Sequence, residues 1–320
     1  MYLCTAFQAQ MAELVDALVS NTNAARRAGS IPALGTGQSP NHFRFGDFFV
    51  FLYTPQTTHN MKRHLLFLPL TALLFLLACQ QQPHHSAWPL IDVLNPMTPV
   101  KNQGNSQSCW IYAMLAAIET EHISRGDSIN LSPAWLEHAL KREPQAPSSG
   151  RGMGATALSL LHRHGIVGFD AMRNSTAPPP RCVFMFGVEY TPQEFARSVC
   201  APNEYVALTS TTAAPYGTSV VLNVADNWLR QRFLNIHPDT LLQLTTRAVS
   251  RGHGVCWESR GHAMAIVGLA HDTVGQRHYF VMKNSWGENR GNHGLEYLSY
   301  GYFLRHTLSV CMTRRAFNGD

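Results

Sequence analysis

The chain of 320 residues reads as an α+β protein of two lobes, a helical lobe over about 109–209 and a mostly β lobe over about 210–315. Three observations lead there. Apolar residues recur at helical spacing before about Thr209. Short strand-like segments bounded by turn residues dominate after it. Proline, serine and glycine clusters at 144–152 and 174–181 read as loops within the first half. A run of helices followed by a run of strands is the pattern of an α+β protein.

The elements follow in order. From Cys109 to about Arg125 the apolar Ile111, Met114, Leu115 and Ile118 fall on helical spacing, with Ser108 as N-cap and Gly126 as stop. A second helix is expected at Pro133–Lys141 and a third at Ala155–His164, ended by Gly165. Strands are expected at Thr218–Val224, Gly254–Glu258, His262–Ala270, Arg277–Asn284 and Leu295–Ser299, interrupted by an amphipathic helix at about Pro238–Ser250. No internal repeat is present.

Composition narrows the function. Hydrophobic residues are 45% and charged residues 14%, which excludes a disordered chain. From Gln80 onward there are 20 Lys+Arg against 17 Asp+Glu, a net of +3 without a basic run, so nucleic acid is not an expected partner. Sixteen histidines form neither a His-Glu-x-x-His nor a Cys-x-x-Cys cluster, so no metal and no other cofactor is expected.

Residues 61–79 carry a basic start (Met61-Lys62-Arg63-His64), a Leu/Phe-rich run and a small residue before Cys79, the layout of a secretory signal. The apolar stretch Leu65–Ala78 has 14 residues, short of the ~20 that span a bilayer. Leu76-Leu77-Ala78-Cys79 resembles the bacterial lipoprotein box, which implies lipidation at Cys79. The expected address is the bacterial cell envelope, with the protein held by its lipid and facing the periplasm or exterior. Residues 80–88 then form a tether to a folded domain at 89–320. Sixty residues precede this signal, and Met11–Thr36 resembles the translation of a bacterial transfer-RNA gene. Translation is therefore expected to start at Met61, with residues 1–60 an upstream extension that is not made. Cys182, Cys200, Cys256 and Cys311 remain, and an extracytoplasmic address permits disulfides among them or free thiols.

Two motifs carry chemistry. In Pro99-Val100-Lys101-Asn102-Gln103-Gly104-Asn105-Ser106-Gln107-Ser108-Cys109-Trp110, the cysteine opens a helix, where unpaired N–H groups favour a thiolate nucleophile. Gln103 lies on a glycine-containing loop, and its amide N–H with the Cys109 N–H suits an oxyanion. The second motif pairs a strand opening at His262 with one ending Asn284-Ser285-Trp286-Gly287. A hairpin centred near Thr273 places His262 directly opposite Asn284, and a bulge would shift this register by one. The asparagine then orients the imidazole, and Trp286 shields their bond from water.

Both motifs resemble those of the papain family of cysteine peptidases, in residues, order and spacing. The resemblance covers about 95–311. It implies a two-lobed papain-like fold, a Cys109–His262–Asn284 triad, a Gln103 oxyanion hole, a thiolate–imidazolium pair and peptide or protein substrates. Gly152-Met153-Gly154 resembles the family's glycine-rich wall, which implies that Gly152, Gly154 and Trp286 contact substrate. Ser106 stands where many members carry a second cysteine, and Arg290 near the place of a second shielding tryptophan. Thr191–Phe195, Tyr205–Leu208 and Gly252–Trp257 resemble the bleomycin hydrolase and aminopeptidase C branch, without its long insertion before the histidine. Between Cys79 and Cys109 lie 29 residues, too few for the inhibitory prodomain of papain-type zymogens, so none is expected. Other acyl transfer on the same triad, or a non-catalytic peptide-binding lipoprotein, are the alternatives. Oligomeric state is left open.

One expectation is directly measurable. A peptide map of the purified protein should contain nothing from residues 1–60 and should begin at a lipid-modified Cys79. Any peptide from 1–60 refutes the start at Met61.

Overall fold

The computed structural model describes residues 88–320 apart from 177, 186 and 273–275. The upstream extension, the signal, Cys79 and nearly all of the tether lie outside the described residues. In chain order the elements are β1 (Leu90–Leu94), α1 (Cys109–Ile123), α2 (Pro133–Leu140), α3 (Gly154–His164), β2 (Val183–Met185), β3 (Val188–Tyr190) and α4 (Pro192–Val199). They continue with β4 (Tyr205–Thr209), β5 (Ser219–Val221), β6 (Arg232–Asn235), α5 (Pro238–Ser250), β7 (Val255–Ser259), β8 (His262–His271), β9 (His278–Lys283) and β10 (Leu295–Ser299). The last are α6 (Tyr300–His306), β11 (Ser309–Thr313) and α7 (Arg314–Asn318).

Helix α1 is the axis of the molecule. Its interior from Ala113 to Glu121 is buried without a break, as expected of a helix apolar on every side. Ile111, Met114, Leu115 and Ile118 are at most 1% exposed, and each buried side chain of this kind stabilises by about 1.5–3 kcal/mol. Ser108 stands at the N-cap position, yet its hydroxyl bonds Glu137 of α2 instead of capping. Helix α2 begins at a proline, with the Ser132 hydroxyl accepting the Trp135 N–H. Helix α3 ends at Gly165, whose φ of 79° and tight approach to the Pro192 backbone exclude a side chain. Helix α4 was not foreseen, although Thr191 and Glu194 form a capping box at its start.

The β lobe is built on one sheet in the order β10-β9-β8-β7-β11-β4-β6-β5, with β1 added on β8. It therefore recruits β1 and β4 from outside 210–315. Strand β8 pairs with β7 over its first half and with β1 over its second. Gly268 makes the second half possible, because a Cβ there would lie 2.3 Å from the Val93 carbonyl oxygen. All five cysteines of the described residues are free. Cys256 and Cys311 face each other across β7 and β11, and both are fully buried. Among the described residues no helix is long and apolar enough to cross a membrane.

Glu258 of β7 joins the lobes. Its carboxylate accepts the Gly154 N–H at 2.6 Å, at the start of α3, and the hydroxyl of Ser309 on β11. Burial pushes this carboxyl up from 4.5 to about 7, against those two hydrogen bonds. The folded value lies above the unfolded one, so folding takes up a proton between them. The stabilisation is full below pH 4.5 and is lost as the pH rises through about 7. Unfolding midpoints measured across that window should fall for the wild type, and the fall should flatten in Glu258→Gln. Identical slopes would discount this account.

Candidate active site

Cys109, His262, Asn284, Trp286 and Gly152 come together where α1 meets the ends of β8 and β9. Cys109 is the first residue of α1, half-buried, and it lines a small cavity together with His262, Gly152, Trp110, Arg151 and Glu258. The hydrogen bonds that lower its pKa come from the backbone N–H groups of Ala263 and Trp110. Burial outweighs them and pushes the thiol up to about 11.

His262 opens β8. Its Nε2 lies 3.0 Å from Asn284 Oδ1. Burial lowers its pKa, partly offset by that hydrogen bond and by the charge of Glu296. No hydrogen bond joins Cys109 to His262 among the described residues, and burial disfavours both charged forms.

The register that brings His262 to Asn284 differs from the expected one. Ala265 opposes Lys283 and Ile266 opposes Met282, so continuing the pairing sets His262 against Trp286, with Asn284 one diagonal step away. A bulge at Val267 makes this work. Nearer the turn Leu269 opposes Phe280, and that register carried through would set His262 against Gly287. Asn284 would then project from the other face, because side chains alternate. The extra residue restores the shared face.

Asn284 is fixed in turn by Glu296 of β10, which accepts its Nδ2 at 2.6 Å. Only a donor can face that carboxylate, so the amide oxygen must face His262. That oxygen also accepts the Ser285 N–H at 2.7 Å. Nε2 of His262 consequently carries the proton, and Nδ1 is the basic nitrogen of the neutral ring. Nothing in the spacing of the sequence singled out Glu296. A carboxylate at alternating distance on the neighbouring strand is its only signal.

Trp286 stacks on His262 with ring centroids 4.7 Å apart, and the Arg290 guanidinium lies 4.7 Å from the outer face of the same indole. Arg290, read from sequence as a lost shield, is thus the third layer of a stack. Gln103 is held against the asparagine side: its N–H donates to the Ser285 carbonyl at 2.8 Å, and its Oε1 accepts the Ser285 hydroxyl. Its Nε2 donates to the Ser106 carbonyl at 2.6 Å, which leaves the second amide hydrogen available. Gly152 lines the cavity, and it must be glycine because a Cβ would meet the Trp110 ring at 2.8 Å. Gly154 does not serve as expected. It is buried, its N–H is taken by Glu258, and Cys256 Sγ fills the space beside it. Among the described residues no cluster of metal-ligating side chains occurs.

Known proteins resemble the chain in sequence and in fold. The chain is 23% identical over 205 residues to a cysteine proteinase of Theileria parva, covering 62% of this chain and 40% of that protein. It is 25% identical over 218 residues to mouse cathepsin K, covering 67% and 58%. The chain thus spans well under two thirds of either relative's own length. The solved structure of PepW from Lactobacillus rhamnosis superposes with a TM-score of 0.56 at 17% identity, over 72% of this chain and 83% of that one, which supports the fold. The family model described as papain family cysteine protease matches residues 91–312, and with the two-lobed fold and the site just described, the chain belongs to that family.

Proposed function

We propose that the protein is a cysteine peptidase that hydrolyses peptide bonds, with Cys109 as nucleophile, His262 as general base and then acid, and Asn284 as orienter. The single observation that carries this reading is the Glu296–Asn284–His262 chain, which leaves Nδ1 as the basic nitrogen beside a thiol lining the same cavity. Substrate backbone lies along Gly152 on its acyl side. As Cys109 attacks, its proton passes to Nδ1 of His262 and a bond forms between sulfur and the carbonyl carbon. Gln103 Nε2 and the Cys109 N–H hold the oxyanion. His262 returns the proton to the departing amine as the carbon–nitrogen bond breaks. Water then hydrolyses the thioester by the reverse proton path and restores the thiol.

The likeness of Thr191–Phe195, Tyr205–Leu208 and Gly252–Trp257 to the bleomycin hydrolase and aminopeptidase C branch supports placing the enzyme near it. Within this reading the enzyme works in a bacterial envelope, tethered through Cys79. The support is the Leu76–Cys79 signature, which lies outside the described residues.

An epoxysuccinyl thiol inhibitor should label the wild type at Cys109. Cys109→Ala should lose the label and lower peptide hydrolysis by about 10⁴-fold or more, the scale of losing a nucleophile. An unlabelled wild type under reducing conditions overturns the peptidase reading.

Glu296 gives a finer check. Glu296→Leu releases the Asn284 amide to rotate, and loss of a hydrogen bond to a charged group, ~1.5–3 kcal/mol, corresponds to about 10–100-fold in kcat/KM. Glu296→Gln keeps an acceptor for Nδ2 and should recover most of the loss. Equal rates for Leu, Gln and the wild type would remove Glu296 from the mechanism.

A further inference from the structure

The loop between β5 and β6, residues 222–231, leaves the β lobe and lies against the glycine wall of the helical lobe. Asn227 makes it rigid. This side chain is 4% exposed, donates to the carbonyls of Leu222 at 3.1 Å and Gln231 at 3.0 Å, and accepts the Gln231 N–H at 2.7 Å. The loop is pinned to the helical lobe at two further points. Trp228 Nε1 donates to the Arg151 carbonyl at 3.1 Å, and Gln231 Nε2 donates to Ser159 of α3 at 2.8 Å.

Just before these anchors Asp226 reaches the cleft. Its carboxylate holds Arg151 by two parallel contacts of 3.2 Å, from Nε and Nη2. Arg151 immediately precedes Gly152 on the wall. Its Nη2 lies 3.6 Å from where a side chain of Gly261 would begin, and Gly261 immediately precedes His262. The guanidinium therefore spans the cleft from the wall to the start of β8, beside the reacting pair. Both Asp226 and Arg151 line the cavity that contains Cys109 and His262, and the space left there is about 10 Å³. That is room for about one water.

We propose that the Arg151–Asp226 pair, held by the 222–231 strap, closes the acyl side of the cleft and confines the enzyme to peptides with a short acyl segment. An extended substrate laid along Gly152 meets the guanidinium as soon as it passes the residue that acylates Cys109. A single residue in that position stops short of it. Arg151 and Asp226 are thus specificity-determining residues, and the strap makes the protein an exopeptidase. This inference rests on the proposed reading of Cys109 as nucleophile and of Gly152 as the acyl-side wall.

The test compares two fluorogenic amides with the same residue at the scissile bond, one with a single free aminoacyl group and one with an N-blocked tetrapeptidyl group. Alkylation of Cys109 by iodoacetamide, read by mass spectrometry, is followed in parallel. The wild type should favour the short substrate in kcat/KM by about 10-fold or more. Arg151→Ala and Asp226→Ala should each raise the long-to-short ratio by about 5-fold, the scale of a partly exposed ion pair, and the double variant should raise it further. The pair is partly exposed, so these variants keep the fold, and Arg151→Gln gives a second variant that retains the stem. A wild type that cleaves both substrates equally, or a ratio that no variant moves, overturns the inference while the alkylation leaves the nucleophile standing. Absence of alkylation and of all cleavage overturns the peptidase reading, and the inference with it.

Discussion

One buried carboxylate, that of Glu119 inside α1, ties together the segments on which the site depends. It accepts Thr98 Oγ1 at 2.5 Å, Lys101 Nζ at 2.6 Å and the Leu131 N–H at 2.7 Å, with Lys283 Nζ 3.9 Å away. Taking such a charge out of water costs several kcal/mol, so the arrangement holds only while these partners stay in place. The consequences run outward in both directions along the chain. Lys101 lies two residues before Gln103, and Lys283 lies immediately before Asn284. Cys109 begins the same helix, roughly 15 Å from Glu119 along its axis. Cys109, Gln103 and Asn284 are therefore registered on one helix through one ion cluster. Lys283 shows the strain of the position: burial lowers it to about 8, against the pull of Glu119.

The same loss of water sets the chemistry. It raises the Cys109 thiol, lowers His262 and raises Glu258, each by disfavouring the charged form. A site this buried strengthens every dipole aimed at a forming charge. The Glu296–Asn284–His262 chain supplies orientation without placing a carboxylate against the imidazole. The stack of Arg290, Trp286 and His262 keeps solvent from the Asn284 bond.

Two local irregularities of the β lobe matter more than its regular pairing. The Val267 bulge decides which face His262 and Asn284 share. The β5–β6 loop, longer than a tight turn requires, crosses to the helical lobe and fills the acyl side of the cleft. Both lie away from the two motifs, so the chemistry and the reach of the site are set by different parts of the chain.

The amino-acid sequence by itself determined the α+β class, helices α1, α2, α3 and α5 and most strands of the β lobe, and it singled out Cys109, His262 and Asn284 as candidates. These rest on periodicity, caps and short motifs, which are local properties. It missed β2, β3, α4, β4, β6, α6, β11 and α7, because short segments half-covered by neighbours have no period of their own. It also misjudged what depends on distance in space. The hairpin register turned on one unpaired residue, and the Gly154 N–H was claimed by Glu258. Glu296, Arg290, and the Arg151–Asp226 pair acquire roles only where separate strands and loops meet. Hydrogen bonds and desolvation act across that folded space, and one-dimensional spacing carries no record of them.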